Sequence, residues 1–187
     1  MNQHLVLVNG PIASGKTTIA RLLAADARLS GDRAASIDMD DIVWMSAGDD
    51  WAIVTAADWR FARSSVATLV DHFFGTGMRL VVLAAPMFDA EERADLVAQI
   101  KARPVLSVVT LKVSLDEAER RVKADTRRVL TATWDAAAVR AHLVHYYSNI
   151  DWNRLPASDL IVETDGRTAK EVLANIRSRM TLTASTS

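Results

Sequence analysis

Residues 10–17 read Gly-Pro-Ile-Ala-Ser-Gly-Lys-Thr: two glycines four residues apart, followed at once by a lysine and a threonine. No other stretch limits the fold so tightly, because of what flanks it. Residues 5–8, Leu-Val-Leu-Val, form a short apolar run of the kind that fills a buried strand. From Lys16 to about Arg28, Ile19, Leu22 and Leu23 recur at helical spacing. The segment is therefore expected to be a tight turn between a strand and a helix. Glycines let such a turn close and aim its N–H groups inward. The helix that follows adds the positive end of its dipole. This is an anion cradle, lined by Gly10, Ala13, Ser14, Gly15, Lys16, Thr17 and Thr18. Lys16 is placed to reach the β- and γ-phosphates of a nucleotide, and the Thr17 hydroxyl to ligate Mg²⁺.

The rest of the chain alternates in the same way. Strands are expected at residues 34–37, 80–84, 105–113 and 160–162. Helices are expected from Asp58 to Gly75, from Asp89 to about Lys101, after Ser114, over residues 135–147 and after Thr168. Asp58 is taken as a cap. Asp89 with Glu92, Ser114 with Glu117 and Thr168 with Glu171 have capping-box spacing. Continuous apolar strands separated by helices predict a parallel sheet with helices on both faces, an α/β three-layer fold. Residues 1–180 read as one domain and residues 181–187 as a frayed tail.

Ser36-Ile37-Asp38-Met39-Asp40-Asp41 puts three carboxylates at the C-terminal end of the second strand, the edge where open α/β sheets bind ligands. One carboxylate there can orient Mg²⁺, and another can accept a proton from an attacking hydroxyl. In extended chain Asp38 and Asp40 share a face, whereas Asp41 suits a turn or helix cap.

The 187 residues carry a formal net charge of -1, so no global basic field points to nucleic acid. There are no cysteines, which removes disulfides and thiolate metal sites and fits a reducing cytoplasm. No apolar run approaches the ~20 residues of a membrane span.

The phosphate loop after strand one, with Asp-x-Asp after strand two, resembles the small P-loop kinases: shikimate kinase, gluconate kinase and chloramphenicol phosphotransferase. The resemblance covers nearly the whole chain and is specific only in the phosphate loop. It implies a P-loop fold with a five-stranded parallel sheet in the order 2-3-1-4-5, ATP with Mg²⁺, and transfer to a hydroxyl of a small molecule. By it, Asp38 is the Mg²⁺-associated carboxylate and Asp40 the base-like carboxylate that contacts acceptor. Arg121 packs on the adenine. Residues 124–133 form a short lid, and Arg128 or Arg127 brings charge to the γ-phosphate. Arg60 and Arg63, early in the helix that begins at Asp58, are either acceptor contacts or helix-surface ion pairs. Trp44, Trp51 and Trp59 cluster near the same site and suit a bulky or planar acceptor, with core packing the commoner fate. His142 and His145 read as packing or acceptor contacts.

The chain departs from the shikimate kinase pattern in two places. Ala84-Ala85-Pro86 replaces a substrate-touching glycine run, and the second substrate arginine is replaced near His142. Both argue against shikimate as acceptor. Strand three also lacks a terminal aspartate, leaving Asp38 to serve as its metal-side carboxylate. Two other readings stand beside small-molecule transfer. One is a nucleoside or nucleotide kinase. The other is a nucleotide-dependent switch or binding protein, against which the missing Asn-Lys-x-Asp element counts.

Overall fold

The computed structural model describes residues 3–48, 53–124, 135–153 and 155–180. Five strands form one parallel sheet: β1 (His4–Asn9), β2 (Ala34–Asp38), β3 (Leu80–Ala84), β4 (Val105–Lys112) and β5 (Leu160–Glu163). Their order is β2-β3-β1-β4-β5, as expected. Among the described residues seven helices pack around it: α1 (Lys16–Leu29), α2 (Met39–Ala47), α3 (Ala56–Gly75), α4 (Ala90–Gln99), α5 (Leu115–Ala124), α6 (Ala136–Ser148) and α7 (Ala169–Arg179). No helix among the described residues is long and apolar enough to cross a membrane.

The two-residue period of a strand divides the core into layers. Leu5, Leu7, Val81 and Leu83 face a cluster built with Ala62, Val66, Val70 and Phe74 of α3 and Leu96 of α4. Val6, Val8, Val82 and Ala84 face the other way, onto Ile19 and Leu23 of α1 and Val172 and Ile176 of α7. Both faces of the central strands are covered, which is why their sequence is apolar without alternation. A third cluster sets Ala13 against Val113, Ala118, Val122, Val139 and Leu143, with Ile12 and Tyr147 at its edge. It packs the α5–α6 pair onto the phosphate loop.

The helix starts differ from the sequence reading in instructive ways. Thr55, not Asp58, caps α3; Asp58 sits at the third helical position and returns its carboxylate to the Thr55 N–H at 2.9 Å. The Asp89 carboxylate accepts from the Glu91 and Glu92 N–H groups, but Glu92 does not complete the box because its side chain is taken by Arg63. The Thr168–Glu171 box forms in full. The larger correction concerns the acidic cluster. α2 begins at Met39, so Asp38 and Asp40 do not share the face of an extended strand. Asp38 is the last residue of β2 and the N-cap of α2, accepting from the Asp40 N–H at 3.1 Å. Capping separates the two carboxylates into different environments.

Candidate functional site

The phosphate loop runs from the end of β1 into α1. Two glycines make it possible. Gly10 sits at φ 152, and a Cβ there would lie 2.8 Å from the Leu111 carbonyl oxygen. Gly15 caps α1 at φ 96 in the left-handed region. The loop's carbonyls need donors. All four from Pro11 to Ser14 have them. Lys16 Nζ donates to Pro11 at 3.1 Å, and the Tyr147 hydroxyl to Ile12 at 2.7 Å. Arg121 donates to Ala13 at 3.1 Å and Ser14 at 3.4 Å.

Arg121 is thus a strut. Its guanidinium also donates to the Thr164 carbonyl at 2.5 Å and to Glu117 at 2.8 Å. It ties the phosphate loop to α5 and to the end of β5. The Glu117 carboxyl is held down to about 2 by hydrogen bonds from Arg120 and Arg121, against its burial. It therefore stays ionised throughout the neutral range, and the strut keeps its counter-charge.

Thr17 and Asp38, 21 residues apart in sequence, meet directly: the Thr17 hydroxyl donates to Asp38 Oδ2 at 2.5 Å. Two hard oxygen donors at the mouth of a phosphate cradle suit Mg²⁺. Asp38 lies in register with Ala84 of β3, which carries no carboxylate, so β2 supplies the acidic group at this edge. Asp40 follows in the first turn of α2, half-buried. The pKa of Asp41 is raised by burial and then by the charge of Asp38.

Asn9, which the sequence reading passed over, organises the neighbouring loop. Its side-chain oxygen accepts from the Met87 N–H at 2.8 Å, fixing the chain as it leaves β3. Phe88 follows, and meets Tyr146 of α6 and Trp152 edge-on. Phe88 and Trp152 were also not singled out from sequence. The signal for Phe88 was its position just past Pro86 at the ligand edge. Trp152 gave none, because it lies in an irregular stretch between α6 and β5.

The two α3 arginines have separated roles. Arg63 is 7% exposed and donates to Glu92 at 2.9 Å and Asp95 at 3.2 Å, bridging α3 to α4. Arg60 is exposed one turn earlier. The Arg63→Ala protein should be less stable by about 1–3 kcal/mol, since the half-exposed carboxylates rehydrate but the buried stem is lost. Its melting point should fall by ~2–4 °C per kcal/mol, with acceptor KM unchanged. An unchanged melting point with a raised acceptor KM would return Arg63 to the acceptor pocket. Trp44 is half-buried on α2, and Trp59 packs against the α3 core. Trp51, Arg127, Arg128, all of the expected lid except Ala124, and the tail lie outside the described residues.

Residues 5–144 match the family model described as AAA domain. The chain is 27% identical over 184 residues to a shikimate kinase of Pseudomonas syringae pv. syringae strain B728a, covering 95% of this chain and 96% of that one. Among solved structures it is similar to the Mycobacterium tuberculosis APS kinase in complex with AMPPNP and APS, with TM-score 0.63, 22% identity and coverage of 95% and 96%. It is similar also to a gluconokinase from Sinorhizobium meliloti 1021, with TM-score 0.62, 16% identity and coverage of 91% and 87%. Those two likenesses speak to the fold. With the phosphate loop, the sheet order and the family match together, the chain belongs to the AAA domain family, within the small P-loop kinase superfamily.

Proposed function

We propose that this kinase transfers the γ-phosphate of ATP, bound with Mg²⁺, to a hydroxyl group of a small molecule, with Asp40 as the proton acceptor. The observation that carries the reading is the Thr17–Asp38 hydrogen bond of 2.5 Å beside the phosphate cradle. It brings together the two oxygen donors that a phosphate-bound Mg²⁺ needs, and leaves Asp40 two residues further on for other work.

The Mg²⁺ ion, held by Thr17 with Asp38 alongside, would neutralise phosphate charge. The remaining steps belong to the chain. Lys16 exchanges the Pro11 carbonyl for phosphate oxygens. The inward amides of the loop and the start of α1 orient the triphosphate. Arg121 holds the loop's outer face and offers its guanidinium plane to the adenine. Asp40 orients the acceptor hydroxyl and takes its proton as the oxygen attacks phosphorus. Arg60 and Trp44 contact the acceptor, and Arg128 or Arg127 meets the charge that builds on the transferred group.

The curated relative is a shikimate kinase, but the acceptor here is a different compound. Ala84-Ala85-Pro86 and His142 stand where that family's pattern has its substrate contacts. Burial, and then the charge of His145, lower the pKa of His142, so it is neutral at pH 7 and offers no cation to a carboxylate. A panel of hydroxyl compounds, from sugar acids and polyols to nucleosides and hydroxylated antibiotics, should be screened for acceptor-dependent ADP release with Mg²⁺. At least one class should raise ADP release well above the acceptor-free rate. ADP release that no acceptor raises would contradict the proposal and favour a nucleotide-dependent switch.

A further inference from the structure

Phe88, Tyr146 and Trp152 stand apart from the packed interior. None belongs to the three buried clusters, and each is only half-buried. Phe88 meets Tyr146 with ring centroids 6.4 Å apart and planes at 74°, and Trp152 at 6.5 Å and 75°. His142 stacks on Tyr146 at 6.5 Å and 25°. Rings held edge-to-face keep part of their faces free of one another. Phe88 and Trp152, half-buried and edge-on to one another, leave part of their apolar surface outside the packed clusters, with Tyr146 backing them.

Their position is set by three separate elements that end at the ligand edge of the sheet. Phe88 lies four residues beyond Ala84, which is in register with Asp38. Tyr146 precedes Tyr147, whose hydroxyl grips the Ile12 carbonyl of the phosphate loop. Trp152 lies 5.8 Å beneath Nζ of Lys112, the last residue of β4. Burial, then the nearby charge of Asp40, raise the pKa of the Tyr146 phenol well above its ordinary value, so the ring stays neutral. Among the described residues, Arg121, Arg63 and Lys112 each already hold a protein partner. Arg121 holds loop carbonyls, Arg63 holds Glu92 and Asp95, and Lys112 pairs with Glu163 at 2.9 Å.

We propose that Phe88, Tyr146 and Trp152 form the wall of the acceptor site, and that the acceptor is a small hydroxyl compound carrying an uncharged planar ring. This rests on the reading of Asp40 as the base of a hydroxyl phosphotransferase, and names the acceptor class for that same site. The ring lies against the aromatic wall, and its hydroxyl-bearing arm extends toward Asp40 and the phosphate loop.

The test compares two probes of equal reach, 2-phenylethanol and 2-cyclohexylethanol, by ligand-observed NMR titration of the full chain. Both are apolar alcohols, and only the first is planar. The wild-type protein should bind the phenyl compound about threefold to tenfold more tightly, the range of a single aromatic contact. Phe88→Ala and Trp152→Ala should abolish that preference, while Trp152→Phe, which keeps a ring, should retain it. Thermal melts establish that each variant is folded. Equal binding of the two probes, or a preference that survives both alanine variants, overturns the proposal. The two readings fail separately. A ring preference that depends on the wall, with no acceptor raising ADP release, supports the wall and removes the phosphotransferase. Acceptor-dependent ADP release without a ring preference removes the wall and leaves the phosphotransferase.

Discussion

Lys16→Ala should lower phosphoryl transfer by about 10²–10³-fold, the loss seen when one preorganised charge-stabilising donor is removed from an active site. In this structure Lys16 is 8% exposed and bonds the Pro11 carbonyl. Its ammonium therefore already lies within the loop it is to serve. Removing it costs Pro11 one donor, but that carbonyl also accepts from the Ser14 N–H at 3.2 Å. The loop should hold its shape, and the loss should fall on turnover and not on melting temperature. A steady-state assay paired with a thermal melt separates the two. Normal turnover in a folded Lys16→Ala protein would remove the phosphate loop from the mechanism.

Asp40→Asn should have the next largest effect, about 10²–10⁴-fold on kcat, with ATP affinity little changed. The amide keeps the shape of the side chain but cannot take a proton. Asp38→Asn should behave differently, because Asp38 accepts from both Thr17 and the Asp40 N–H. Its loss should raise the Mg²⁺ concentration needed for half-maximal rate while leaving the start of α2 in place, because asparagine caps a helix about as well as aspartate. Magnesium titrations of the two variants check the division. Matching curves would show that the two carboxylates do one job.

The sheet was readable in the sequence because its physics is local. Leu5-Val-Leu-Val and Leu80-Val-Val-Leu-Ala must be buried on both faces, and such strands belong to a parallel sheet. The phosphate loop was readable because two glycines, a lysine and a threonine at that spacing leave little choice of shape. What escaped depended on competition between partners. Glu92 has capping-box spacing, but the buried Arg63 takes its carboxylate instead. Asp38 and Asp40 alternate as in a strand, yet Asp38 caps a helix that starts one residue later. Met39 and Val43 lie on the buried face of that helix, in the cluster that α3 builds.

The site followed the same division. Thr17 and Asp38 were placed by the order of motif and strand. The need of the carbonyls of residues 11–14 for donors was not visible until the loop was seen. Hence Arg121 and Tyr147, one helix apart, could not be recognised from sequence as the donors that hold it. The aromatic wall was missed for the same reason. α4, β4, α5 and most of α6 lie between Phe88 and Tyr146, and Trp152 follows α6 in irregular chain, so only the fold brings the three together.

The central claim is that the γ-phosphate ends on an acceptor hydroxyl. ³¹P NMR of a reaction containing ATP, Mg²⁺ and the best acceptor from the panel follows that atom directly. A new phosphomonoester resonance should grow in step with ADP and be absent with Lys16→Ala. ADP formed with inorganic phosphate as its only counterpart would contradict the claim.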